Sequence, residues 1–302
     1  VDYIEKVTDE FRLIYDNVKG KKAYCGLKVG ILNSWGKIRS WQPYMVAHAL
    51  WYKQTYSYFG ILESLSGAAV DVQFLSFDEI REHGVPADID VIINAGDAGT
   101  AFSGGEEWLD EKLVTTIRQW VYNGGGFVGV GDPTAIHHGG RFFQLADILG
   151  VDKELGFTLS TDKYALDKHF ITEDRSADFD FGESKHDIYA LSPATEIIEY
   201  SNNEVHMAAN TYGKGRGVYI SGLPYSYENT RLLMRAMFYA ASKEDRYHIW
   251  YADNLNCEVN AYPESGKYAI LNNSNETQTT KFYDGEGNCE TITLEPCEIL
   301  WR

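Results

Sequence analysis

The sequence predicts an α/β protein: a parallel sheet with helices on both faces, followed by a small C-terminal all-β domain. Three observations carry this expectation. Short continuous apolar runs of the buried-strand type lie at 27–32, 71–75, 90–95 and 127–130, with helical patterns between them. Glycine-rich stretches follow the third and fourth runs, where a doubly wound sheet carries its functional loops. Beyond residue 245 the pattern changes to β-type runs at 257–262, 267–271, 279–283, 289–294 and 297–301, broken by turn sequences such as Pro263-Glu264-Ser265-Gly266 and Asp284-Gly285-Glu286-Gly287-Asn288.

Taken in order, Ile4, Val7, Phe11 and Ile14 fall at helical spacing, so a helix leads the chain. Because that helix starts at once and Val1 is not a methionine, the chain reads as part of something longer. After the first strand, Ser40 is positioned to cap a helix with Pro43 in its first turn, and the pattern continues through 45–65 with a break at Gly60. Ser103-Gly104-Gly105-Glu106 has the spacing of a capping box, which predicts a helix carrying Leu109, Leu113, Ile117 and Trp120 on one face. Gly124-Gly125-Gly126 ends it, and Phe142, Leu145, Ala146 and Leu149 predict another helix. Residues 156–203 read as irregular, with short strands. A strand at 205–212, a hairpin turn at 213–217, a strand at 218–222 and a helix capped by Asn229 complete the α/β part. The expected division is a leading helix at 1–20, an α/β domain at 21–244 and a small β-sandwich-like domain at 245–302.

At about 150 residues per domain, 302 residues correspond to roughly two domains. The 27 basic and 44 acidic residues leave a net charge of −17, which repels phosphate backbones and anionic lipid. Nucleic acid and membrane are therefore not expected partners. Cys25, Cys257, Cys289 and Cys297 are too few for a disulfide framework and include no CxxC pair, so the reading is a cytoplasmic protein without structural zinc.

The candidate chemistry lies in the strand-end loops. The fourth reads Gly131-Asp132-Pro133-Thr134-Ala135-Ile136-His137-His138-Gly139-Gly140. Its elbow position holds Asp132, whereas a hydrolase or amidotransferase elbow presents Ser or Cys. Three readings stay open for Asp132, His137 and His138: a cap on a turn, a carboxylate nucleophile with His137 or His138 as base, or polar groups binding a sugar. Adjacent histidines point apart and have no third ligand at metal spacing, so no metal site is expected. The first loop sets Trp35 and Trp41 beside Lys37 and Arg39, a combination suited to stacking on a sugar and gripping an anion. Trp35 and Arg39 are thus further binding candidates. The loop at 96–105 lacks both GxGxxG and a P-loop ending, and 213–217 lies between strands, so no nucleotide cofactor is expected.

The segments LKVGILNSWGKIRSWQ, INAGDAGTAFSGGEEW, GGGFVGVGDPTA, KGRGVYISGLPYSYENTRLLMRAMFYAA and LEPCEILWR together resemble the 1,3-β-galactosyl-N-acetylhexosamine (lacto-N-biose or galacto-N-biose) phosphorylases. The resemblance covers essentially the whole chain but only the central and C-terminal parts of such an enzyme. It implies a glutamine-amidotransferase-like, flavodoxin-like central domain, a small β domain, and a preceding N-terminal barrel to which the 1–20 helix is the junction. It also implies inverting phosphorolysis of a galactosyl disaccharide by inorganic phosphate to α-galactose 1-phosphate, with the catalytic acid in the barrel. No catalytic residue is therefore carried onto this chain, which is expected to be inactive alone, to support the barrel, its cleft and subunit contacts, and to permit a homodimer. The alternatives are a stand-alone hydrolase built on Asp132 or a carbohydrate-binding module.

Overall fold

In the computed structural model, residues 2–33, 56–100, 102–154, 165–183 and 185–302 are described. The chain forms two compact units, Leu27–Asp245 and a second one assembled from the residues up to Gly26 together with Arg246–Arg302. The leading helix is therefore grouped with the β strands of the far end of the chain and does not stand apart, and the α/β unit opens at Leu27, where the first buried strand starts, and not at residue 21.

The α/β unit is built on strands β1 (Leu27–Asn33), β2 (Val70–Ser76), β3 (Val91–Gly96), β4 (Gly126–Gly131), β9 (Glu196–Ser201), β10 (Glu204–Tyr212) and β11 (Gly215–Ile220). They form one seven-stranded sheet in the order β2-β1-β3-β4-β11-β10-β9. The first five are mutually parallel, and β10 and β9 continue the sheet antiparallel. The parallel part thus has the 2-1-3-4-5 order of one common doubly wound sheet, whose carboxyl edge collects the loops after β3 and β4.

The continuous apolar character of β3 and β4 has a direct cause: every residue of both strands is buried. On one face Ile92, Phe127 and Tyr219 share a core with α3 (Phe77–His83), α4 (Glu111–Tyr122) and α5 (Ala146–Leu149). Alternation turns Ile93, Val128 and Val218 to the other face. There α2 (Tyr56–Ser66) packs with α6 (Tyr227–Ala240) against β3, β4 and β11.

Several local expectations are corrected. The 45–65 pattern does not break at Gly60: α2 runs through it, and the glycine is needed because a Cβ there would sit 2.2 Å from the Leu223 carbonyl oxygen. The predicted capping box at Ser103 does not form. Ser103 Oγ donates to the Asp97 carbonyl at 2.6 Å, Gly105–Leu109 is a short 3-10 turn, and the α-helix starts later, with the Asp110 carboxylate accepting from the backbone N–H of Lys112 and Leu113. In α6 the cap is Ser226, whose hydroxyl accepts from Asn229 N at 3.0 Å, so Asn229 lies inside the helix. The segment around Phe142 is strand, since β5 (Ala135–His138) and β6 (Arg141–Phe143) form a hairpin turned by Gly139-Gly140, and only α5 is helical. The run 213–217 is only partly turn: β11 already begins at Gly215, and a Cβ on Gly217 would lie 2.2 Å from the Ile148 carbonyl, so these glycines let α4 and α5 approach the strand closely. Two short strands, β7 (Val151–Lys153) and β8 (Ile188–Ala190), pair with each other. The predicted helix start at Ser40 lies outside the described residues.

In the second unit, β12 (Tyr251–Ala252), β15 (Gln278–Tyr283) and β16 (Cys289–Leu294) form one three-stranded sheet, while β13 (Cys257–Tyr262), β14 (Lys267–Asn272) and β17 (Ile299–Trp301) form another. Val259, Ile270, Phe282, Ile292 and Leu294 make their common core. α1 (Asp2–Val18) belongs to this unit, where Asn17 Oδ1 accepts from Lys267 Nζ at 2.8 Å and the backbone N–H of Tyr24 donates to the Ala261 carbonyl at 2.8 Å. α1 is amphipathic, yet Ile4 and Phe11 are 69% and 68% exposed, so the helix meets its own unit without burying that stripe.

Candidate functional site at the carboxyl ends of β3 and β4

The turn after β4 is fixed to the loop after β3 by backbone and side-chain hydrogen bonds. Asp132 N–H donates to the Gly96 carbonyl at 3.0 Å, and Asn94 Oδ1 accepts from Thr134 N at 2.7 Å while its amide donates to the Ser103 carbonyl at 3.1 Å. Thr134 has φ of 56°, a left-handed conformation uncommon for a β-branched residue, held here by those bonds and by its hydroxyl accepting from Leu145 N at 3.2 Å. From beneath, Tyr219 Oη donates to the Gly131 carbonyl at 3.1 Å. The elbow is therefore rigid, and its side chain is aimed by the scaffold.

That side chain, Asp132, is only 5% exposed. Its carboxylate accepts from the backbone N–H of Ala98 at 3.3 Å and stands 3.4 Å from both Lys153 Nζ and Lys185 Nζ. Lys185 also pairs closely with Asp97, which closes a four-residue cluster drawn from the β3 loop, the β4 turn, β7 and the segment before β8. Lys185 is held there by its own backbone N–H donating to the Ser221 carbonyl at 3.2 Å, just past β11. Nearby, Tyr56 Oη donates to the carbonyls of Phe181 at 3.2 Å and Glu183 at 2.8 Å, pinning the same segment.

Burial pushes the Asp97 carboxyl above its ordinary range, with Lys185 opposing the shift. Burial works against the Lys185 ammonium, but Asp132 and Asp97 outweigh it and hold the group above its ordinary value. Burial also raises the Tyr219 phenol well above its usual range, and the Asp132 charge adds to this.

Among the sequence candidates, the capping reading of Asp132 is realised in a different form: the carboxylate holds the backbone of the neighbouring loop at Ala98 and no helix of its own. His137 and His138 lie at the exposed end of β5, and neither is a hydrogen-bond partner of Asp132 among the described residues. A nucleophile-and-base pair is thus not assembled. Trp35 and Arg39 lie outside the described residues. The residues that complete the cluster, Lys153 and Lys185, carry no local motif. Asp97, by contrast, sits in the glycine-rich loop at a recognisable strand end.

Over the same loops lies a cavity of about 720 Å³, lined in part by Ala98, Gly99, Glu106, Ile136, His137 and Phe142. Glu107 on its wall is engaged by Arg81 at 2.7 Å, and Lys153 Nζ lies 5.3 Å from the centre of the Phe142 ring. No group of three or more His, Cys, Asp or Glu residues suited to hold a metal ion occurs among the described residues. No helix among them is long and apolar enough to cross a membrane.

Fold and site together define a doubly wound α/β unit whose turn after β4 carries a buried, ion-paired aspartate, accompanied by a small two-sheet β unit. The chain belongs to the lacto-N-biose phosphorylase family: residues 28–245 match the family's central domain and 250–302 its C-terminal domain. It is 52% identical to a 1,3-beta-galactosyl-N-acetylhexosamine phosphorylase of Lachnoclostridium phytofermentans, a match that takes in 100% of this chain and 42% of that protein. The corresponding enzyme of Bifidobacterium longum subsp. longum is 46% identical, over 100% of this chain and 45% of its own length. A D-galactosyl-beta-1->4-L-rhamnose phosphorylase of Lachnoclostridium phytofermentans is 32% identical over 92% of this chain and 38% of its length. The chain thus spans less than half of the curated relatives it matches.

Proposed function

We propose that this chain is the non-catalytic central and C-terminal portion of a galactosyl phosphorylase that cleaves β-1,3-galactosyl-N-acetylhexosamine with inorganic phosphate to give α-galactose 1-phosphate. In this reading an N-terminal barrel of the same enzyme supplies the catalytic acid. The α/β unit, related in fold to the glutamine amidotransferases, and the β unit support the barrel, its cleft and the contacts between subunits of a cytoplasmic homodimer.

The observation that carries the non-catalytic part of the reading is the state of Asp132. It stands at the elbow where a nucleophile would be presented, but its carboxylate is already engaged by Lys153, Lys185 and the Ala98 N–H. A carboxylate nucleophile needs an accessible oxygen and a base or acid within reach of the reacting group. Asp132 offers a rigid structural tie between loops instead.

The test is a phosphate-dependent assay of galactose 1-phosphate release from lacto-N-biose and galacto-N-biose. The complete enzyme is expected to release it and the isolated chain to release none. Ester or glycoside cleavage by the isolated chain, lost in Asp132→Asn, would overturn the reading.

A further inference from the structure

Ile4, Val7, Phe11, Ile14 and Val18 recur along α1 at alternating spacings of three and four, which brings all five onto one face of the helix. Tyr3 and Tyr15 border that face, and at about 100° per residue the apolar stripe is about 120° wide. Asp2, Asp9 and Asp16 lie on the opposite face. The β unit leaves most of the stripe uncovered: Tyr3, Ile4, Phe11 and Tyr15 are between 54% and 79% exposed, and Val7, Ile14 and Val18 are half-buried. The hydrogen bond from Lys267 to Asn17 ties α1 to the strands through its last turn. A helix of this length takes most of its stability from packing its apolar face, so the stripe is a face made to be covered.

The width of the stripe and its flanks distinguish what covers it. A seam between two paired helices is narrow, and its edges carry charges that match the partner helix. Here the edge positions hold Tyr3, Thr8, Glu10, Tyr15 and Asn17, with one charge among them. A broad stripe with nearly uncharged edges is that of a helix lying on the core of a globular domain. Area points the same way. A helix of 17 residues is about 26 Å long and about 10 Å across, so pairing it with a second copy covers on the order of a few hundred Å² on each partner, short of the roughly 800 Å² of a stable interface. A cover on the same polypeptide needs no such area, because docking is then intramolecular. The family's central domain matches from residue 28 and its C-terminal domain from 250 to 302, so α1 precedes both. Two relatives nonetheless match the whole of this chain, α1 included, while more than half of their own length lies outside the match. Since the C-terminal domain is within the match, that remainder precedes α1.

We propose that α1 is a docking element for the domain that precedes it in the same polypeptide, with Ile4, Val7, Phe11 and Ile14 buried against an apolar surface of that domain. This rests on the reading of the chain as the central and C-terminal portion of a longer phosphorylase. α1 then has two attachments, its last turn to the β unit and its stripe to the preceding domain.

The experiment is hydrogen exchange of the α1 backbone amides in the complete enzyme and in residues 1–302 alone. Amides from Lys6 to Ile14 are expected to exchange at least about tenfold more slowly in the complete enzyme. Equal exchange in the two overturns the proposal. Slowing that appears in residues 1–302 alone as concentration rises, together with a dimer mass in sedimentation, assigns the stripe to a second copy and overturns it too. Phe11→Asp is expected to abolish the protection in the complete enzyme, because it sets a charge against an apolar surface. In residues 1–302 alone, where Phe11 is exposed, the same variant should shift the melting temperature by no more than about 2 °C. A larger fall there would place the stripe against its own unit and refute the docking. The comparison of the parent proteins needs no variant, so it holds whatever Phe11→Asp does to the folding of the complete enzyme. Galactose 1-phosphate release is scored separately: an active complete enzyme whose α1 exchanges as fast as in residues 1–302 alone overturns the docking and leaves the phosphorylase reading intact, and a protected α1 in a complete enzyme without that activity does the reverse.

Discussion

Lys185 Nζ lies 3.4 Å from Asp132 Oδ2 and at the same time pairs with Asp97, so one ammonium separates two carboxylates that belong to neighbouring strand ends. All three side chains are largely shielded, with side-chain exposures of 19% for Lys185, 7% for Asp132 and 24% for Asp97. Removing the cation takes the close partner from Asp97 and leaves it beside Asp132, which only Lys153 still pairs, at low water content, and this is costlier than losing a surface pair. Lys185→Met is expected to destabilise the α/β unit by about 3 kcal/mol, read from urea unfolding. The double variant with Asp97→Asn should recover part of that loss, because it removes the carboxylate whose close partner was lost.

Alkaline pH tests the same neighbourhood. The Tyr219 phenol and the Lys185 ammonium are both raised above their ordinary values of 10.0 and 10.5. The unfolded chain releases these protons first, so the stability they contribute is complete below the unfolded values and is lost as pH rises toward the folded ones. Urea midpoints measured from pH 8 upward should hold level and then fall above about pH 10. Tyr219→Phe should make that fall shallower and, by stranding the Gly131 carbonyl, lower stability at neutral pH by about 1–2 kcal/mol.

At Gly60, a β-carbon would lie 2.2 Å from the Leu223 carbonyl oxygen and 2.9 Å from Tyr225 N, both backbone atoms that cannot rotate aside. Gly60→Ala would ordinarily favour a helix by removing backbone freedom. Here the overlap dominates, and a loss of about 3 kcal/mol is expected from thermal or urea unfolding.

For α4 the cap is Asp110, which also pairs with Arg81 from α3. Asp110→Ala should cost about 1–2 kcal/mol through the lost cap. Asp110→Asn keeps the capping oxygen and should retain most of that stability, a difference visible in urea midpoints.

The strands of the sheet are legible in the sequence because their physics is local. A strand buried on both faces is mostly apolar, and β1, β3 and β4 announce themselves that way, the buried Asn94 of β3 being satisfied by its hydrogen bonds to Thr134 and Ser103. Caps are less legible because a hydroxyl has several backbone partners to choose from. Ser103 matches a capping box by spacing, but its hydroxyl is taken by the Asp97 carbonyl in the tight turn before the helix. Of the site, Asp132 and His137 are visible as polar residues at a strand end. Lys153 and Lys185 are not, since nothing near them in sequence marks them, and their partners stand 21 residues away for Lys153 to Asp132 and 88 for Lys185 to Asp97. Such contacts follow only from the order in which the strands are laid side by side.

The Tyr24 to Ala261 hydrogen bond joins the two chain segments of one unit across the whole of the other. In a growing polypeptide, Tyr24 has no partner for that bond until residue 261 has been synthesised, while Leu27–Asp245 already contains every strand of its own sheet. The α/β unit can therefore fold before the Tyr24–Ala261 pairing is made, and once it is compact the chain between those two residues is no longer a long flexible loop whose closure costs entropy. A lesion in the α/β unit would be felt first as late or failed assembly of the β unit, even where no residue of the β unit had changed.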